Sequence, residues 1–250
     1  MARYRTESRS EGPTAQQSRG VDDGYVGLSI GTLPAIINKE NKFAAGVIVL
    51  ASTAILYITS NHLHIFQPRL LWMSRIDMII PFWPSTVWIY ISEYFYLVVI
   101  YSSYRHCKTL NEFFYAFLSL QLFSSLIFWW WPTAIPRELF PIPADLHPVT
   151  SFVLSALRQA DTSANCFPSV HVSSVFLVCL LLLNEDKRKF LFFFVWATAI
   201  TLSTMTVKQH YFVDVAAGIF LALVAYFLVQ RIQFVASGLG ETNKENATLP

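Results

Sequence analysis

Cys166-Phe167-Pro168-Ser169-Val170-His171 opens one long apolar run, and Lys208-Gln209-His210-Tyr211-Phe212-Val213-Asp214 opens another further along the chain. Ionisable groups at the head of a membrane-length run are costly to keep and are functional candidates by default. Two histidines, a serine, an aspartate and a lysine stand at these two boundaries. They form the candidate site, and the remaining chain is read as the frame that brings them together.

Composition defines the frame. Of 250 residues, 54% are hydrophobic and only 14% charged, against about 25% charged in an average soluble domain. The apolar residues cluster in runs, so an integral membrane protein is expected. The net charge of +2 carries no basic run of the kind that tracks nucleic acid, so no nucleic-acid partner is expected. Cys107, Cys166 and Cys179 lack metal-pair spacing and predict no disulfide framework.

Crossing the hydrocarbon core takes about 20 apolar residues. Six candidates answer to this: Phe43 to Ser60, Thr86 to Tyr104, Phe113 to Trp131, Ser169 to Leu183, Phe190 to Val207, and Phe212 to Val229. Pro68 to Pro84 is too short and too charged to span, and reads as an interfacial helix ending at its prolines. The proline-rich stretch from Pro132 to Phe167 reads as an extramembrane loop with one short amphipathic helix near Ser151 to Leu157. The fold class is therefore all-α, an integral membrane bundle of six transmembrane helices with a short interfacial helix. One membrane domain over 41–232 lies between a disordered polar tail at 1–40 and a flexible tail at 233–250.

Six crossings put both termini on one side. Thirteen of the eighteen Lys and Arg residues fall on that side and five on the other. The positive-inside rule then places both termini in the cytoplasm. The sequon Asn246-Ala247-Thr248 falls on the wrong side for glycosylation. Both special stretches fall on the opposite face, periplasmic, extracellular or lumenal, together with Arg137.

The residue types there suit phosphate chemistry. His210 and Asp214 are four apart, one turn on a helix face. The carboxylate can fix one imidazole nitrogen and raise the basicity of the other, making a nucleophile or general base. A purely structural histidine–aspartate pair at a helix start is the alternative. Pro168-Ser169 also reads as an ordinary helix start. Free N–H groups at such a start bind phosphate oxygens, so Ser169 and Val170 are candidates for a cradle. His171 is placed to protonate a leaving oxygen. Arg137 and Lys208 offer positive charge for a developing phosphoryl charge, or headgroup contacts alone. Glu93, deep in the second run, and Asp77 and Tyr211, flanking the special stretches, are accessory candidates.

Pro168-Ser169-Val170-His171, followed by Ser203 and then His210 and Asp214 in the pattern Ser-x6-His-x3-Asp, resembles the type 2 phosphatidic acid phosphatase (PAP2) superfamily. The resemblance covers about Asp77 to Val229 and implies a PAP2-like helical bundle acting on lipid phosphates. It implies that His210 attacks phosphorus to give a phosphohistidine, that Asp214 orients it, and that His171 is the general acid. Arg137, Ser169, Val170 and Lys208 would hold the phosphate, with no metal or other cofactor. The match is incomplete: Trp130 stands where the first motif has Lys, Glu138 follows Arg137, Val170 replaces a glycine and Thr204 an arginine. These departures resemble the branch containing inositol phosphorylceramide synthases and bacterial relatives.

The expected function is hydrolysis of a membrane lipid phosphate. Transfer of the phospho-headgroup to a lipid hydroxyl is the first alternative, and a non-catalytic lipid-phosphate binder the second. A transporter, suggested by Glu93, ranks lower because no second half resembles the first. The expected partners are the lipid substrate and the bilayer. Homo-oligomerisation is left open.

Overall fold

The computed structural model describes residues 29–63, 65–161 and 164–236. Of the tails expected at 1–40 and 233–250, residues 1–28 and 237–250, with the sequon at Asn246, lie outside the described residues. Among those described, eight α-helices dominate. They are α1 (Lys42–His62), α2 (Arg75–Ile79), α3 (Val87–Ser103), α4 (Cys107–Trp130), α5 (Pro148–Ala160), α6 (Val170–Leu180), α7 (Lys187–Thr206) and α8 (Phe212–Val229).

Helix α6 is the axis. It is mostly apolar beyond its first turn, as a helix enclosed by others is expected to be, with buried Ser173 and Ser174 as polar exceptions. Val172, Val175, Leu177, Val178 and Cys179 are all buried. Helices α3, α4, α7 and α8 pack around it, and α1 lies against α4. Polar side chains lock these contacts: the Tyr96 hydroxyl of α3 donates to the Val175 carbonyl (3.0 Å), and Gln121 of α4 donates to Ser174 Oγ (2.9 Å). Outward-facing side chains are apolar too, including Phe43, Ile55, Leu191, Phe192, Phe220 and Phe227. A continuous apolar exterior of this kind calls for an apolar solvent. Helices α1, α4, α7 and α8 are each long and apolar enough to cross a membrane. Helix α3 has 17 residues, and α6 has 11 before a 3-10 turn at Leu181–Asn184.

The hydrogen bonds sort the bundle into two ends. At one end Lys42 Nζ donates to the Ser102 and Tyr104 carbonyls, and Glu185 accepts from the Arg105 and His106 amides ahead of α4. Asp186 caps α7 by accepting from the Arg188 and Lys189 amides. At the other end lie α2, α5 and both special stretches.

Three sequence expectations are corrected. The interfacial helix is only five residues long. A reciprocal Ser74–Asp77 capping box starts it at Arg75, and Pro81 halts it. Residues flanking it pair instead in a short parallel ladder, β2 (Arg69–Leu70) with β3 (Thr133–Ala134). Within the expected polar tails, β1 (Gly31–Ala35) and β4 (Ile232–Ala236) form a five-residue parallel ladder. Asn111 clamps the chain after β1, accepting from the Ile36 and Ile37 amides at 2.7 and 2.9 Å.

Candidate active site

The site is built where the starts of α6 and α8 meet. Ser169 caps α6: its Oγ accepts from the Val172 amide (3.3 Å), while its own amide donates to the Asp214 carbonyl (3.1 Å). The Val170 and His171 amides, on the first turn, have no acceptor within the helix. The close approach depends on Gly218, one turn beyond Asp214. A Cβ there would sit 2.6 Å from the Ser169 carbonyl oxygen.

Between α7 and α8 the chain reverses sharply. Lys208 takes a left-handed conformation (φ 58°), and the Gln209 and His210 amides both donate to the Thr204 carbonyl (3.0 and 3.1 Å). Thr204 stands where the family pattern has arginine, so its contribution is through the backbone. Ser203 Oγ donates to Ile200 within its own helix (2.6 Å).

This turn delivers His210 to its partners. Its Nδ1 lies 2.7 Å from Asp214 Oδ2, and its Nε2 lies 3.3 Å from His171 Nδ1. His171 Nε2 in turn lies 2.7 Å from the Tyr90 hydroxyl. One assignment of protons satisfies every link with neutral rings. Tyr90 donates to His171 Nε2, His171 Nδ1–H donates to His210 Nε2, and His210 Nδ1–H donates to Asp214. The His210 Nε2 lone pair and the His171 Nδ1–H therefore face the same point. His210 and Asp214 are almost completely buried.

Arg137 approaches from a 3-10 turn at Arg137–Leu139. Its guanidinium donates to the Arg158 and Asp161 carbonyls and to Gln209 Oε1, and its Nη2 lies 3.6 Å from the Asp161 carboxylate. Asp161 also accepts from Tyr57 and Asn61 of α1, and the Tyr57 ring stands edge-on to His171. Arg137 is thus tied to Gln209, the residue before His210, with much of its donor capacity already engaged.

Lys208 does not join the histidines. Its ammonium donates to the Asp77 and Ile80 carbonyls (2.8 and 2.6 Å) and lies over the Phe140 ring. Burial holds its pKa below the usual lysine range, with Asp77 opposing. Together with Met73 and Pro81 it lines an open cavity of about 380 Å³ whose walls include neither histidine. Asp77 is buried and caps α2; its second oxygen accepts from the Phe212 amide (2.7 Å) and so pins the start of α8. Tyr211 packs with Ile135 and Cys166, and burial pushes its phenol up to about 12.

Glu93 is buried on α3, with Oε2 4.0 Å from His171 Nε2 and no hydrogen-bond partner at that oxygen. Tyr57, Tyr90, Asp161 and Gln209 were not singled out from sequence. Tyr90 stands three residues before Glu93, on the same helix face, and that spacing was the available signal. Asp161 and Tyr57 lie outside any motif. Among the described residues, no group of three or more His, Cys, Asp or Glu side chains is placed to hold a metal ion.

Fold and site together define an apolar helical bundle carrying a histidine–histidine–aspartate relay at one end. A comparison with protein-family models matches residues 82–228 to the PAP2 superfamily, and the chain belongs to that superfamily. Membership suggests phosphatase- or phosphotransferase-type activity. A search of curated proteins found no match.

Proposed function

We propose that the protein is a membrane lipid phosphatase that hydrolyses a lipid-linked phosphate through a phosphohistidine on His210. The observation that carries this reading is the relay itself: His210 Nδ1 held by Asp214 at 2.7 Å, with its Nε2 3.3 Å from His171 Nδ1.

In the first step the Nε2 lone pair forms the P–N bond as the P–O bond to the leaving group breaks. His171 enters this step as the imidazolium, having taken a second proton at Nε2 as the anionic substrate binds; the leaving oxygen takes its Nδ1 proton and leaves a neutral ring protonated at Nε2. In the second step water attacks phosphorus and gives its proton to His171 Nδ1. The P–N bond breaks and the electron pair returns to His210. Phosphorus cannot fit within a 3.3 Å gap, so substrate binding parts the two imidazoles. The first-turn amides of α6, at Val170 and His171, and the guanidinium of Arg137 receive the phosphoryl oxygens. Ser169 shapes that turn. No metal takes part in this scheme.

In this reading α3 and α6 cross the bilayer with the four longer helices, since they run between the same two ends of the bundle. Both termini are cytoplasmic and the relay lies at the opposite face. Burial of His210 favours a second reading, in which a lipid hydroxyl replaces water as acceptor.

The test is phosphate release by the purified full chain in detergent, from a panel of lipid phosphates with a chelator present, alongside His210→Ala. Release by the wild type alone supports the phosphatase. Release that stops with the chelator, or persists in His210→Ala, overturns the scheme. Paired lipid donors and acceptors without free phosphate release identify the transferase.

A further inference from the structure

The relay accounts for one nitrogen of His171 and leaves the other to be explained. In the proposed cycle His171 alternates between an imidazolium and a neutral ring that has lost its Nδ1 proton. Nε2 carries a hydrogen in both forms. A buried N–H needs an acceptor, and a buried imidazolium needs a counter-charge. On the Nε2 side stand the Tyr90 hydroxyl at 2.7 Å and the Glu93 carboxylate at 4.0 Å. Glu93 Oε2 is buried and unpartnered, an arrangement that costs free energy unless a cation or donor visits it.

We propose that Tyr90 and Glu93 are positioning residues for His171, forming with it a second acid–histidine couple that mirrors Asp214 and His210. This inference rests on the proposed phosphoryl-transfer reading. Tyr90 fixes the ring so that Nδ1–H points at the leaving oxygen. Glu93 balances the imidazolium when Nε2 is protonated. Protonation reverses the Tyr90 bond, so the ring then donates to the hydroxyl oxygen.

The two couples come from different parts of the chain. Asp214 and His210 are joined by one turn at the start of α8. Glu93 and Tyr90 lie one turn apart on α3 and reach His171 across the α3–α6 contact. Among the described residues, the other groups facing His171 are Tyr57 of α1 and His210. Asp161 stands behind Tyr57, whose hydroxyl it accepts. None of these is placed to take the Nε2 proton: Tyr57 presents a ring edge, and His210 faces Nδ1.

Two measurements on the full chain in detergent test this, with the near-isosteric Glu93→Gln and with Tyr90→Phe as the second variant. The first is the ¹⁵N spectrum of histidine-labelled protein, with the His171 signals identified by their loss in His171→Asn. Both variants should displace the His171 Nε2 resonance and leave His210 in place. An unmoved His171 resonance in both overturns the proposal, whether or not the protein turns over any substrate.

The second is the rate of phosphohistidine formation with an alkyl phosphate and with 4-nitrophenyl phosphate, whose leaving group needs no proton. Glu93→Gln should slow the alkyl substrate about 10- to 100-fold and the nitrophenyl substrate less than about threefold, since general acid help applies only to the first. Equal losses with both substrates would show a merely structural role and overturn it. Absence of phosphohistidine from wild type with every substrate would defeat the phosphatase reading, while the spectrum still decides the coupling.

Discussion

Asp214 gives one oxygen to His210 and leaves the other without a partner in a fully buried position. A carboxylate held this way serves to orient and charge-stabilise the imidazole, because a neutral amide would satisfy the same hydrogen-bond distance. Asp214→Asn is therefore expected to lower phosphate release by about 10²- to 10⁴-fold, as loss of a base-orienting acid does in other histidine relays. The thermal midpoint in detergent should change far less than the rate. Lys208 is the opposite case. Its ammonium bonds two carbonyls of the α2 segment and not the histidines. Lys208→Met should leave those carbonyls unsatisfied and cost about 1–3 kcal/mol of stability. Turnover per folded molecule should fall by less than about tenfold, and a loss as large as that of Asp214→Asn would place Lys208 on the phosphate after all. Sequence offered Lys208 as a phosphate-binding cation, whereas its ammonium is engaged by the α2 segment. Sequence did not disclose the left-handed backbone that turns the side chain toward α2, because no motif encodes a positive φ at lysine.

Among the elements, α6 and α8 carry the site, and their approach is set by Gly218. Gly218→Ala would bring a methyl group to 2.6 Å from the Ser169 carbonyl and 3.2 Å from Val172 Cβ. The first neighbour is backbone at the helix cap and cannot rotate away, so the two helices must separate. The expected cost is about 1–3 kcal/mol. Activity should fall with it, because the same separation moves His210 from His171; paired melting curves and phosphate-release assays would show both. An unchanged melt would mean that α8 can shift without strain. Six spans were expected; the four of α1, α4, α7 and α8 were legible because each helix is apolar over a membrane-crossing length, whereas α3 with 17 residues and α6 with 11 are shorter. The β1–β4 ladder was not legible. It pairs five residues near each end of the described chain, beside polar segments, and parallel pairing at that separation leaves no local pattern. The α2 helix was legible in kind but not in length, since the Ser74–Asp77 capping box fixes its start within a segment that composition alone reads as one.

At the scale of the whole molecule, the separation of the bundle into two ends makes topology testable with the native residues. Cys107 is exposed at the first position of α4, whereas Cys166 and Cys179 are buried. Cys107 lies at the end that holds Lys42, Glu185 and the β1–β4 ladder, opposite the relay. If both termini are cytoplasmic, Cys107 is cytoplasmic as well, and α4 carries the chain from there to the face where the relay is built. A membrane-impermeant maleimide should therefore leave Cys107 unmodified in intact cells and modify it once the membrane is permeabilised. Cys107→Ser should abolish that labelling, which separates it from slow reaction at the buried thiols. Labelling of intact cells would invert the orientation and place the relay in the cytoplasm, where the donor lipids and the leaving alcohol belong to the inner leaflet. The positive-inside bias supports the first outcome, although the N-terminal segment supplies six of the thirteen cationic residues on that side. The clamp of Asn111 on the chain after β1 ties Ile36 and Ile37 to α4. The labelling result for Cys107 therefore fixes the side of β1 along with that of α4.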